Sequence, residues 1–144
     1  MAIPLSSDLR RLLDARNFAH FATVMKDGSP HSVPVWVGRE GDRIIVSTEE
    51  ASIKSKNTQR DPRVAISIVD IADPYTVAHL RGRVVERRRD PDFKDIDPIS
   101  QKYIGAAWPL REVIAVTLFI EVDKAHYEKL PFEHKVSEGG KEAG

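Results

Sequence analysis

Two short runs of strand-forming residues, Phe18 to Met25 and His31 to Val37, flank the pentapeptide Lys26-Asp-Gly-Ser-Pro30. An Asp-Gly pair in that position supplies the positive-φ residue a tight reversal needs, so it predicts a β-hairpin. Arg43 to Thr48, Val64 to Val69, Val77 to Val85 and Val113 to Val122 add further runs rich in β-branched residues. Helical signals are few. Ser6 or Ser7 can cap a helix over 7–16 in which Leu9, Leu12 and Leu13 share a face, and Ser52 to Asn57 reads as a short basic helix. Between Pro91 and Gly105, apolar Phe93, Ile96, Ile99, Tyr103 and Ile104 recur at roughly helical spacing. Six or so strands with three helical pieces predict a mainly β chain closed into a small barrel, not a parallel sheet.

A chain of 144 residues holds one ordinary domain. Its expected limits are 1–136, followed by a polar, glycine-rich tail, 137–144, expected to be disordered. With 22 basic against 22 acidic side chains there is no global pull toward nucleic acid or anionic lipid. Arg81, Arg83 and Arg87 to Arg89 form a local basic group, but without the interleaved aromatics of a single-strand binder, so a solvated face is expected and no nucleic-acid partner. The absence of cysteine excludes disulfides and thiolate chemistry. The five histidines show no pair at helical ligand spacing, so no metal is expected; His79 and His31 have no spacing that supports a shared haem. No Gly-x-Gly-x-x-Gly, Gly-x-x-x-x-Gly-Lys or Gly-x-Ser-x-Gly occurs, which leaves dinucleotide, P-loop and hydrolase readings unsupported. The first residues lack a basic stretch followed by an apolar run, and no apolar stretch approaches the roughly 20 residues that span a bilayer. A cytoplasmic protein without membrane attachment is the expectation.

Three segments carry candidate chemistry. The strand Arg43 to Thr48 ends in Ser47 and Thr48, close to the start of the basic helix, where free N–H groups and the helix dipole favour an anion. Lys54 and Asn57, three apart, would share one helical face and could grip a phosphate by charge and hydrogen bond. The same pattern suits a solvated basic helix with no ligand, and Glu49 and Glu50 beside it would repel a phosphate if they faced it. Pro34 lacks an N–H and interrupts its strand's ladder, leaving room for a ligand ring or simply guarding a sheet edge. Trp36 suits either a ring contact or a core position. His31, on the same strand, could polarise a carbonyl or sit half-buried without a chemical role.

In order and spacing these parts resemble the split β-barrel flavin and deazaflavin oxidoreductases of the pyridoxamine phosphate oxidase-like group. The closest likeness is to the branch using the deazaflavin coenzyme F420. The resemblance runs over about 5–130 and rests on Lys54-x-x-Asn57, on Arg60-Asp-Pro-Arg63, and on Asp97-Pro-Ile-Ser-Gln-Lys-Tyr103 followed by Trp108-Pro109 and Arg111. It implies a split β-barrel homodimer with two cofactor sites at the subunit interface. Ser47, Thr48, Lys54, Asn57 and Arg60 would hold the phosphate, and Pro34, Val35 and Trp36 would meet the ring. Tyr103 and Trp108 would close the substrate side, and the basic residues nearby would have a use on the coenzyme's polyglutamate tail. Some relatives carry an arginine where Ser52 stands. The implied function is hydride transfer from reduced F420 to a small conjugated or heterocyclic acceptor, with no catalytic side chain assigned. FMN on the same fold, or a carrier that binds cofactor without turnover, are the alternatives.

Overall fold

The computed structural model describes residues 1–136; the stretch 137–144, for which the sequence predicts disorder, lies outside the described residues. In chain order the elements are α1 (Ser7–Asp14), β1 (Ala19–Val24), β2 (Pro30–Val35), β3 (Gly38–Glu40), β4 (Arg43–Glu49) and α2 (Ile53–Arg60). They continue with β5 (Arg63–Asp70), β6 (Asp73–Arg89), α3 (Ile96–Ile104) and β7 (Ala115–Lys129). The predicted hairpin forms: β1 and β2 pair from Ala19 opposite Val35 to Val24 opposite Pro30, and Gly28 takes a φ of 89° in the turn. Asp27 fixes that turn by accepting the Ser29 N–H at 3.0 Å.

All seven strands belong to one antiparallel sheet in the order β2-β1-β5-β6-β7-β4-β3. The two outermost strands, β2 and β3, are joined by only Trp36 and Val37. So short a link cannot span an open sheet, because two residues reach no more than about 7 Å. The sheet therefore curls until its edges meet, leaving a seam where β2 and β3 approach without being paired to each other. Gly38 to Asp42 holds the short strand β3 and the reversal into β4, with Gly41 at φ 61° in that turn. Pro34 falls on edge strand β2, where a sheet tolerates a missing N–H.

Long strands β6 and β7 bend across each other with register shifts at Arg81/Gly82 and Val84/Glu86. At Gly82 the Glu121 carbonyl lies where a Cβ would project, so this crossing requires glycine. Inside the barrel, Phe21, Ile44, Val46, Ile68, Leu80, Leu118 and Ile120 form the main core, capped by Leu9, Leu12 and Leu13 of α1. Each such side chain contributes roughly 1.5–3 kcal/mol on burial. A smaller cluster forms on the opposite face of the wall, where Ile96 and Ile99 of α3 pack on Ile45 and Phe119. Alternation along β4 sorts the two layers: Ile44 and Val46 point inward, while Ile45, Ser47 and Glu49 share the outer face beneath α3.

Candidate cofactor site

Between the seam, the N-terminus of α2 and the α3 layer lies a cavity of about 490 Å³. One wall is Pro34, Val35 and Trp36 with Phe18 beside them; the opposite side is Ile96, Ile99, Trp108 and Leu110. The polar end carries Ser47, Thr48, Glu49, Ser52 and Lys54. An apolar slot with a few convergent polar groups at one end is the usual form of a small-molecule site.

The polar end is built by local rules. Ser52 is the N-cap of α2, accepting the Ser55 N–H at 3.2 Å, and its hydroxyl also accepts from Thr48 Oγ1 at 2.8 Å. No acidic residue occupies the first helical turn, so the positive end of the helix is uncompensated there. Lys54 is half-buried and, among the described residues, its ammonium has no hydrogen-bond or ion-pair partner. Burial pushes its pKa below the ordinary lysine value, with Glu49 opposing that shift. A half-buried cation that no carboxylate pairs with directly, beside two hydroxyls, is a cradle for an anion.

Asn57 and Arg60 require a correction. Asn57 does not share the cavity face with Lys54: it is 3% exposed, and its amide donates to Thr23 Oγ1 at 2.9 Å and to Met25 Sδ at 3.3 Å. Arg60 donates to the Val24 carbonyl and to Asn57 Oδ1, and does not line the cavity. Both residues bolt α2 to β1. In a helix of only two turns anchored by its inward side, position 57 faces the barrel while position 54 faces the slot. Arg87 of β6 holds the helix from a further side, donating to Ser55 Oγ at 2.7 Å, the Ser55 carbonyl at 3.1 Å and Thr58 Oγ1 at 3.2 Å.

Three further arginines are also engaged. Arg88 pairs with Asp95 and Glu86, Arg89 with Glu50, and Arg83 with Asp123 and Glu121. Arg83, Arg87, Arg88 and Arg89 are thus each held within the fold, whereas Arg81 is exposed and, among the described residues, has no side-chain hydrogen-bond or ion-pair partner.

Tyr103 likewise differs in place from its sequence-based assignment to the substrate side. Its ring stacks on Trp36 at 5.1 Å from behind, and its hydroxyl donates to the Asn17 carbonyl at 2.5 Å while accepting the Val37 N–H at 3.2 Å. Neighbouring Lys102 donates to the Leu13 and Val37 carbonyls at 2.8 and 2.6 Å. Burial pushes its pKa down to about 8. These two residues latch the two-residue seam connection to α1. Trp108 does line the cavity, meeting Trp36 edge-on at 5.6 Å. Asp97 holds it there by accepting the Trp108 N–H at 3.0 Å and the Arg111 guanidinium at 2.9 and 3.1 Å. Asp97, Lys102 and Tyr103 of the motif that opens α3 therefore tie the cavity's two walls to one helix.

His31 does not line the cavity; its Nδ1 is buried and unpartnered. His79 faces His126 across β6 and β7 at 5.1 Å, with β1 and β5 between it and the strand of His31. Among the described residues no group of three or more metal-ligating side chains is close enough to hold an ion. No helix there is long and apolar enough to cross a membrane. The sequence reading passed over Phe18, Ile96, Ile99 and Leu110 as lining residues. The helical spacing of Ile96 and Ile99 was visible, but which face would meet the barrel was not.

An antiparallel sheet curled onto itself, split at one seam and covered outside by a helix over a slot, is the split β-barrel of the flavin and deazaflavin oxidoreductases. The profile described as Pyridoxamine 5'-phosphate oxidase matches residues 5–130. The chain belongs to that family. Among solved structures it is similar to an F420 reductase, with 24% identity, a TM-score of 0.76, and 86% of this chain and 98% of that one covered. A conserved hypothetical protein from Mycobacterium tuberculosis matches with 19% identity and a TM-score of 0.69, covering 96% and 94%. General Stress Protein 26 from Bacillus anthracis matches with 18% identity and a TM-score of 0.64, covering 83% and 90%. At these identities the likeness concerns the fold. Among curated protein sequences none matches.

Proposed function

We propose that the protein is an F420-dependent oxidoreductase that passes a hydride from the reduced deazaflavin to a small conjugated or heterocyclic acceptor. The observation that carries this reading is Lys54, a half-buried cation with no hydrogen-bond or ion-pair partner among the described residues, at one end of an apolar slot. The residues present fit the coenzyme. Pro34, Val35 and Trp36 offer a flat edge for its ring, while Ser47, Thr48 and Lys54 offer hydroxyls and charge for its phosphate. When bound, F420 supplies a two-electron hydride donor, and the protein's part is to bind, orient and exclude. Trp36 and Trp108, in edge-to-face contact at 5.6 Å, both line the slot and supply apolar surface against the ring and its acceptor. Asp97, Lys102 and Tyr103 hold those tryptophans in place. No side chain is assigned as nucleophile or proton donor.

The same reading includes a homodimer in the cytoplasm. Phe18, Leu110 and Ile114 are 48%, 57% and 57% exposed, and the first two line the cavity, so a second copy covering them would complete the slot.

The test is anaerobic oxidation of reduced F420 in the presence of a panel of enones, quinones and tetrapyrroles. Turnover with any of them, weakened by Lys54→Ala through cofactor affinity, supports the reading. Tight F420 binding without turnover would make the protein a carrier, and FMN bound in preference to F420 would move it to the flavin-using members.

A further inference from the structure

Among the described residues, the charged side chains lining the cavity are Lys54 and Glu49. Glu49 ends β4 on the same outer face as Ser47, is exposed, and among the described residues its carboxylate makes no hydrogen bond or ion pair. It lies near enough to Lys54 to favour the charged ammonium. The other charged groups around α2 face away from the slot: Glu50 is paired with Arg89 at 2.7 Å, and Arg87 is directed at Ser55 and Thr58. An anion in the cradle therefore meets one cation, the positive end of a helix worth about half a charge, and one carboxylate.

That charge count suits a single negative charge and is poor for two. A phosphomonoester carries about −1.5 to −2 at neutral pH, whereas a phosphodiester carries one. Attraction to Lys54 and repulsion from Glu49 both scale with that charge, whereas the cost of taking the anion out of water rises with its square; with Glu49 cancelling most of what Lys54 adds, the attraction left over offsets that cost for one charge and not for two. We infer that Glu49 is a specificity-determining residue that makes the cradle select a phosphodiester over a phosphomonoester. The inference rests on the cofactor reading above and deepens it. F420 joins its ribityl chain to its tail through a phosphodiester, while FMN ends in a phosphomonoester. The pair Lys54 and Glu49 would thus separate the two cofactors by charge at the phosphorus and not by the ring.

The experiment uses the full chain and two ring-matched probes, the deazariboflavin core of F420 carrying either a 5′-phosphate monoester or its methyl phosphodiester. Affinities are measured at pH 8 for wild type, Glu49→Gln and Lys54→Ala. Wild type is expected to bind the diester more tightly. Glu49→Gln is expected to raise monoester affinity by about threefold to tenfold more than diester affinity, the scale of one added unit of charge at several ångströms near a protein surface. Tighter binding of the monoester by wild type, or an equal change of both probes in Glu49→Gln, would overturn the inference. If Lys54→Ala still weakens both probes in that case, the cradle reading survives alone. Binding of neither probe, or no effect of Lys54→Ala, would overturn the cradle reading and the inference with it. Glu49 is exposed and makes no side-chain hydrogen bond, so the substitution leaves the fold intact.

Discussion

At the scale of single residues, two positions three apart on one short helix do opposite work. Lys54 reaches the slot and, among the described residues, has no hydrogen-bond or ion-pair partner, whereas Asn57 is buried and engaged by Thr23, Met25 and Arg60. Asn57→Ala would leave Thr23 and Arg60 without a buried partner, so a loss of about 1–3 kcal/mol of folding stability is expected. Thermal or denaturant unfolding checks this. Cofactor affinity in that variant is expected to fall only as far as α2 shifts. Ser6 as a helix cap and Asp27-Gly28 as a turn were legible in the sequence because each depends on neighbours within three residues. The directions of Asn57 and Tyr103 were not. Both residues sit at helical spacings compatible with either face, and the choice is made by β1 and by the seam, which are distant in sequence.

At the scale of elements, α3 is the part that sets the cavity's width. Its Asp97 fixes the loop carrying Trp108, and its Lys102 and Tyr103 fix the connection carrying Trp36. Trp108→Ala removes an edge-to-face contact and part of the packing over the α3 cluster, so the expected stability loss is about 1–3 kcal/mol, with acceptor KM or turnover altered and F420 affinity nearly kept. Steady-state kinetics with an active acceptor, beside a cofactor titration, separates these effects. Lys102 adds a pH signature. Its pKa is about 8 in the fold against 10.5 for the ordinary side chain, so between those values the unfolded chain binds more protons. Stability from this group therefore rises as pH climbs from about 8 to 10.5 and is flat below that window. Tyr103 works the other way at higher pH: burial raises its pKa above 10.0, so the unfolded phenol ionises first and stability falls. Denaturant midpoints measured from pH 7 to 10.5 are expected to show the rise, and Lys102→Met to lose it. The amphipathic pattern of this helix was visible in the sequence, but its use as a latch depends on carbonyls at Leu13 and Val37, which no side-chain pattern reveals.

At the scale of the whole molecule, barrel closure follows from joining the two edge strands by two residues, and that closure makes both the seam and the slot beside it. Strand content, the mainly β class and a small barrel were readable from β-branched runs, whereas the strand order and the place of the seam were not, because they are a matter of long-range pairing. The cavity mouth leaves Phe18 and Leu110 about half exposed, and the expected remedy is a second copy burying at least about 1,000 Å² in total. Sedimentation at micromolar concentration is expected to give a dimer; a monomer alone would remove the shared-site part of the proposal. The central claim is that the slot bounded by Trp36, Trp108 and Lys54 is where F420 binds. The chain has two tryptophans, Trp36 and Trp108, and both line that slot, so its intrinsic fluorescence reports on it directly. Titration with F420 is expected to quench tryptophan emission saturably, with Lys54→Ala weakening the midpoint by roughly 1.5–3 kcal/mol, the scale of a lost charge-assisted hydrogen bond. F420 binding that leaves tryptophan emission unchanged, or the same midpoint in wild type and Lys54→Ala, would contradict the account.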